Sequence, residues 1–309
     1  MAARRLPGPL APTLWSRVRL LAGPALAFCL CAGAAQAAPP QRVVSLNLCT
    51  DQLAVLLLPP ERIAALSFLS RDEDLSYVAD RARSLPVVQG QAEEILPLAP
   101  DLVLAGTFTT RPTVALLKAR GIPVLELDMP HDFAAIRAQL RQVAAALGEE
   151  ARGEALVAAM DRTLALSAPA DGRRPSALSF APGGFTSGAG TLSAAVMEAA
   201  GLSNYAGGRG LAGYGYLPVE EVAAAPPDLL VADTEPEAHP SLAGRLLSHP
   251  ALARAVPAEA RTRIRSGLWT CGGPFTAEAV AQLAAMRTRL LAGPQVAAST
   301  DAAHAPAER

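Results

Sequence analysis

From residue 42 onward the chain sets short apolar runs against stretches whose apolar positions recur at helical spacing. Arg42–Leu46, Ile63–Leu66, Leu102–Leu104 and Val124–Leu127 are apolar runs of strand length. Asp51–Leu58 reads as a helix stopped by Pro59-Pro60, and Thr113–Ala119 as another stopped at Gly121. Strands alternating with helices predict parallel sheets with crossover helices. From Asp132 to about Ala165 the strand signal vanishes, while Phe133, Ile136, Leu140, Val143, Leu147, Leu156 and Met160 follow a helical period. The reading is one long helix between two α/β blocks, with Gly148 and Gly153 as the positions able to interrupt it. A polar turn over Ala168–Pro175 ends it, and the alternation restarts. Ser176–Phe180 and Leu229–Ala232 read as strands; Leu192–Ala200, Pro218–Ala225 and Thr276–Leu291 read as helices. The expected layout is a first lobe over 38–131, a connecting helix over 132–168, a second lobe over 169–292 and a disordered tail over 293–309.

The two blocks echo one another. Glu93-Glu94-Ile95-Leu96-Pro97-Leu98-Ala99-Pro100-Asp101-Leu102 has the same spacing as Glu220-Glu221-Val222-Ala223-Ala224-Ala225-Pro226-Pro227-Asp228-Leu229. Each reads as an acidic pair, a short helix, Pro-Asp and an apolar strand. One copy is a common helix–turn–strand connection; two copies at equivalent places imply two similar lobes.

The 309 residues are 51% hydrophobic and carry a net charge of −1. That length suits roughly two units of about 150 residues, and near-neutrality argues against a nucleic-acid partner. Residues 1–37 read as a Sec-type signal peptide. Arg4, Arg5, Arg17 and Arg19 precede an apolar run over Leu20–Cys31, and Ala35-Gln36-Ala37 supplies small residues for cleavage. A lipid anchor at Cys29 or Cys31 is disfavoured, because Phe28 and Leu30 stand where a small residue is needed. Removal of the leader leaves Cys49 and Cys271 in an oxidising compartment.

The segments RVVSLNLCTDQLAVLL, EEILPLAPDLVLAG, FAPGGFTSGAGTLSAAVMEAAGLSNYA and GYLPVEEVAAAPPDLLVAD, in this order around the long helical stretch, resemble the periplasmic binding proteins of ABC importers for ferric siderophores, haem and vitamin B12. The resemblance runs from about Arg42 to Leu291. It implies a class III fold, two Rossmann-like lobes joined by one backbone helix, with the ligand in the cleft. It also implies a periplasmic monomer without intrinsic cofactor that delivers its ligand to a permease dimer, one lobe per subunit. One glutamate per lobe would dock on permease arginines, and the matching positions are Glu93 and Glu220. The simpler role for these acids is to favour a helix N-terminus.

Ligands bind open α/β sheets outside the carboxyl ends of the strands. That rule nominates Asn47, Cys49 and Thr50 after the first strand, Phe68 and Arg71 after the second, and Thr107, Phe108 and Thr109 after the third. In the second block it nominates Phe185 within Pro182–Thr186, then Tyr214, Tyr216, Trp269 and Cys271. The rings Phe108, Phe185, Tyr214, Tyr216 and Trp269 suit a wide chelate or macrocycle; the alternative is that they pack loops onto the core. Arg71 and Arg209 would meet ligand carboxylates or stay solvated. Three arrangements are open to Cys49 and Cys271: a bridge across the cleft, two thiols touching the ligand, or two independent thiols. A bridge needs Cα atoms within about 7 Å, which a wide cleft would not permit.

A secreted hydrolase is the rival class, yet the nucleophile elbow G-x-S-x-G is absent. His131, His239, His249 and His304 each adjoin a proline or lie in the tail, so no metal-binding pair is spaced on a helix. Gly183–Gly190 lacks the Gly-Lys-Ser/Thr ending of a P-loop. Gly208-Arg209-Gly210-Leu211-Ala212-Gly213 has no strand before it and no helix after it, as a dinucleotide site requires. Ferric siderophore, vitamin B12 and haem all remain as ligands. The first two are favoured because no His or Tyr pair is visibly committed to a haem iron, an exclusion that Tyr214 and Tyr216 weaken.

Overall fold

The computed structural model describes residues 38–107, 109, 111–232 and 243–293. Residues 1–37, where the signal peptide is expected, and the expected tail from Pro294 lie outside the described residues. The first lobe runs β1 (Val43–Ser45), α1 (Leu48–Leu57), β2 (Ile63–Ser67), α2 (Ala79–Ala82), β3 (Val87–Val88), α3 (Ala92–Ile95), β4 (Leu102–Gly106), α4 (Arg111–Ala119) and β5 (Val124–Leu127). Its sheet is parallel throughout, in the order β3-β2-β1-β4-β5. The strands read as unbroken apolar runs because both faces are covered. Val43, Ile63, Leu102 and Leu104 turn to the core beneath α1. Val44, Ala65 and Val103 turn to the core on the opposite face.

Two helices follow, α5 (Phe133–Leu147) and α6 (Glu150–Ser167). The single helix expected over this stretch is therefore a hairpin. Gly148 takes the left-handed conformation, φ 69°, and its N–H bonds back to the carbonyls of Ala144 and Ala145. Only glycine takes that conformation cheaply. The helices run antiparallel, with Arg137 on Asp161 at 2.6 Å and Arg141 on Glu154 at 2.5 Å. The apolar period persisted through the reversal because both helices bury matching faces: Leu140, Val143, Leu147 and Val157 in the first-lobe core, Ile136 and Met160 in the second. The connecting element proper is α6, 18 residues or about 27 Å long.

The second lobe contains β6 (Ser176–Ser179), β7 (Phe185–Ser187), α7 (Leu192–Ala199), β8 (Ser203–Asn204), β9 (Tyr214–Tyr216), α8 (Val219–Ala224), β10 (Leu229–Ala232), α9 (Pro250–Ala255), β11 (Arg261–Arg263) and α10 (Thr276–Ala292). Its parallel sheet is ordered β11-β10-β6-β8, and β7 pairs antiparallel with β9 as a separate ribbon. That ribbon lies where the sequence suggested only glycine-rich turns. Among the described residues no helix is long and apolar enough to cross a membrane.

The internal echo has a structural reason. Asp101 accepts the backbone N–H groups of Gln41 (2.6 Å) and Arg42 (2.9 Å), fastening the entry to β1. Asp228 accepts the N–H and hydroxyl of Ser176, both at 2.7 Å, fastening the entry to β6. Each Pro-Asp thus pins the first strand of its sheet to the strand that the aspartate itself precedes.

The lobes meet along a closed seam. Cys49 and Cys271 form a disulfide with Cα atoms 5.2 Å apart. The distance objection to a bridge fails because these residues lie where the lobes are pressed together. Beside them Tyr77 stacks on Phe275, ring centroids 4.6 Å apart, and donates its hydroxyl to Glu278 at 2.7 Å. The Gly267 N–H donates to the Asp74 carbonyl, and Gly272 leaves no room for a Cβ against Pro130. A bridge closing 222 residues of sequence constrains the unfolded chain by about 5 kcal/mol in the chain-entropy description, and real bridges often deliver somewhat less. Replacing both cysteines by serine should therefore lower the stability from urea unfolding by about 4 kcal/mol and Tm by roughly 10 °C. Identical urea midpoints for the two proteins would show that the bridge tethers nothing.

Candidate functional site

In each sheet the strand order reverses at one place, between β1 and β4 in the first lobe and between β6 and β10 in the second. Crevices open outside the carboxyl ends of strands at such points. A cavity of about 300 Å³ lies at the first, lined by Leu46, Asn47, Thr107, Asp128, Met129 and Gln139 among others. A second, of about 260 Å³, lies at the other, lined by Phe185, Thr186, Ser193, Tyr214, Trp269 and Thr270 among others. Met129 lines both and is 52% exposed. The two cavities are thus the two walls of one cleft, with Met129 between them.

Asn47, Cys49, Thr50 and Thr109 all line the first cavity, but their polar atoms are engaged locally. The Asn47 amide caps α1 by accepting from the Thr50 N–H at 2.9 Å and donates to the Thr109 hydroxyl at 2.9 Å. The Thr50 hydroxyl pairs with that of Ser45. These residues shape the wall of the first lobe more than they offer it hydrogen bonds. Beneath them the first turn of α1 buries Asp51, which accepts from the Ser67 N–H at 3.0 Å and from the Ser67 hydroxyl. Burial pushes this carboxyl up to about 7, against the opposing pull of hydrogen bonds from Ser45 and Ser67.

In the second lobe the β7–β9 ribbon carries the aromatic wall. Phe185 lies 5.8 Å from Tyr214 in a stacked arrangement and 5.6 Å from Tyr216 edge to face. Tyr214 is 55% exposed and Tyr216 71%. Strand pairing sets this cluster, with Phe185 opposite Tyr216 and Ser187 opposite Tyr214. Trp269 is buried but borders the same cavity.

Other candidates stand apart. Phe68 is exposed but lines neither cavity. Arg71 spends its guanidinium on the carbonyls of Leu85 and Ala82, at 2.5 and 3.4 Å, so it holds a loop in place. Arg209 lies 3.4 Å above the Tyr205 ring. Cys271 has no thiol to offer a ligand, being bridged to Cys49. Phe108, His239 and His304 lie outside the described residues. Glu93 and Glu220 are exposed at the starts of α3 and α8. Met129 escaped the sequence reading. The rule that nominates the loops after the other strands applies equally to Asp128–His131, which follows β5.

Sequence comparison supplies the family. The family model described as "Periplasmic binding protein" matches residues 43–266. The chain belongs to this family. Among solved structures, this periplasmic binding protein is similar to the apo form of the periplasmic heme-binding protein RhuT from Roseiflexus sp. RS-1. That match has 28% identity and a TM-score of 0.68, covering 81% of this chain and 99% of the other. A periplasmic heme-binding protein from Pseudomonas aeruginosa matches with 26% identity, TM-score 0.64 and coverage of 80% and 92%. The vitamin B12 binding protein BtuF of Vibrio cholerae, at 16% identity, TM-score 0.64 and coverage of 82% and 98%, shares the fold. A sequence search of curated proteins gives no significant match.

Among the described residues of the periplasmic binding protein, no group of three or more His, Cys, Asp and Glu is placed to hold a metal ion. The buried Asp51 gives the wall of the first lobe a pH dependence. Its pKa rises on folding, so the stability it permits is fully present below the unfolded value near 4 and is lost as pH climbs through about 7. That range corresponds to about 4 kcal/mol. Urea denaturation of wild type between pH 4.5 and 8 should show this decline, and an Asp51→Asn variant should flatten it. Parallel pH profiles for the two proteins would remove Asp51 as the cause.

Proposed function

We propose that this protein is the solute-binding component of an ABC importer and that its ligand is a metal tetrapyrrole, haem in preference to a corrinoid. The observation that carries the reading is the chemistry of the cleft. Among the described residues lining its two cavities, Asp128 is the single charged side chain. A polyanionic ferric siderophore would find no cation there, and burying uncompensated charge is costly. A flat macrocycle instead finds the Phe185–Tyr214–Tyr216 cluster on one side and the Met129 thioether between the lobes. The Tyr214 and Tyr216 hydroxyls bond to no other described residue, which leaves them available to a bound metal or polar substituent. Together the cavities have the size of a small-molecule site. The relatives at 28% and 26% identity are described as heme-binding, and they support haem over the siderophore and corrinoid that the sequence favoured.

Capture and release need no bond-making, so the reading is of a carrier and not an enzyme. Export through the leader, with cleavage near Ala37, would place it in the periplasm as a monomer. Delivery requires a permease surface. Glu93 and Glu220 suit it, being exposed, unpaired by any described cation and carried on helices at equivalent places in the two lobes. The partnering of Glu94 sharpens the choice. Glu94 accepts from the Gln89 and Gln91 N–H groups, at 2.8 and 3.3 Å, so its role is local.

Trp269 is the one tryptophan beyond residue 37 and borders the cleft, so its fluorescence reports on binding. Titration of the chain from Ala38 with ferric protoporphyrin IX, cobalamin, a ferric hydroxamate and a ferric catecholate should give saturable quenching with the porphyrin and a shifted Soret band. Quenching by a ferric siderophore alone would overturn the tetrapyrrole assignment. Glu93→Ala combined with Glu220→Ala should leave the Kd for the porphyrin within about two-fold while abolishing uptake in cells, because rim charges act chiefly on encounter. Undiminished uptake would remove these two residues from the docking surface.

A further inference from the structure

The second-lobe cavity has a chemical character that the aromatic wall does not explain. Below Phe185 and Tyr214 it is lined by hydroxyl residues: Ser179, Thr186, Ser187, Ser193 and Thr270. No charged side chain is among its described lining residues. Ser179 is occupied, accepting the Ser187 N–H at 3.2 Å. Thr186 is not. It is 1% exposed, and its hydroxyl has no hydrogen-bond partner. A buried hydroxyl left unpaired costs about 1–3 kcal/mol, and such groups in native proteins ordinarily have a partner.

A second feature points the same way. α7 starts at this cavity with Thr191 as its cap, the Thr191 side chain accepting the Ala194 N–H at 3.2 Å. The cap leaves the N–H groups of Leu192 and Ser193 without a partner inside the helix. Ser193 itself lines the cavity. A helix start carries about half a positive charge and favours an anion. The cavity therefore offers hydroxyl donors and a helix dipole but no fixed cation. Such a site suits one carboxylate held by hydrogen bonds.

We propose that this cavity receives a carboxylate arm of the ligand and that the Thr186 hydroxyl is a donor that distinguishes a carboxylate from its ester. The proposal rests on the tetrapyrrole reading and deepens it, since a porphyrin carrying acid side chains would lay its ring on the aromatic wall and lower one arm among the hydroxyls. The apolar ring and the acid arm are then read by different residues, Phe185 and Tyr214 for the first, Thr186 and Ser193 for the second.

The test compares ferric protoporphyrin IX with its dimethyl ester, which keeps the ring and iron and removes both carboxylates. Affinities come from Soret titrations of the chain from Ala38. Wild type should bind the diacid at least about ten-fold more tightly than the ester. Thr186→Val should weaken the diacid by about ten-fold and leave the ester within about two-fold, while Thr186→Ser should restore the preference. Unchanged circular dichroism and an unchanged ester Kd show that the variants are folded. If wild type binds both porphyrins and Thr186→Val leaves their ratio unaltered, the arm site is wrong although the tetrapyrrole reading stands. If wild type binds neither porphyrin, the tetrapyrrole reading itself fails and the arm site fails with it.

Discussion

Two lobes that could drift apart are held together by a short seam, and the geometry of the cleft depends on it. The Cys49–Cys271 bridge joins the start of α1 to the loop before α10, and the Tyr77–Phe275 stack lies beside it. Leu48 of the first lobe enters the same apolar cluster as Trp269, Cys271 and Phe275 of the second. The lobes are therefore not separate bodies on a single rod. They share a core at the seam, and the cavities at the carboxyl ends of both sheets meet at Met129. A covalent tether with an apolar surround resists wide opening. A cleft fixed in this way selects by shape and surface chemistry before it selects by closure.

The repeated Pro-Asp motif explains how the two lobes arrive at the same design. In each, an aspartate carboxylate takes backbone donors at the start of the sheet's first strand. That sets the register between the first strand and the strand after the aspartate, which flank the switch point in both lobes. The ligand crevice opens at the far end of the same pair of strands. A motif that resembled a docking signal is thus first a device for sheet assembly, with the exposed acids Glu93 and Glu220 in the first turn of the short helix that precedes it. The inner acid of the first lobe, Glu94, belongs to local capping.

The cleft itself divides its chemistry between lobes. The wall of the first lobe is internally satisfied: Asn47, Thr50 and Thr109 bond to one another, and Thr107 donates to Asp128. The wall of the second is open, with exposed rings on a two-stranded ribbon and an unpaired hydroxyl beneath them. On the tetrapyrrole proposal, the second lobe is the one where unpaired polar groups and bare aromatic faces gain most from a guest.

Apolar runs and helical periods in the chain alone determined the two α/β blocks and the strands Val124–Leu127 and Leu229–Ala232 to the residue. These follow from burial of both sheet faces, which writes itself into contiguous sequence. Other features were decided only by tertiary structure. The reversal at Gly148 left the period of its flanking helices intact, so one helix and two looked alike. Val87–Val88 and Arg261–Arg263 are too short for any period to register. Whether Cys49 could reach Cys271, and whether Arg71 would face the cleft or two carbonyls, depended on how lobes and loops approach through space. Sequence carries the local rules of burial and turn formation; the partners of residues far apart in the chain are chosen by packing, and the composition of the cleft is that choice.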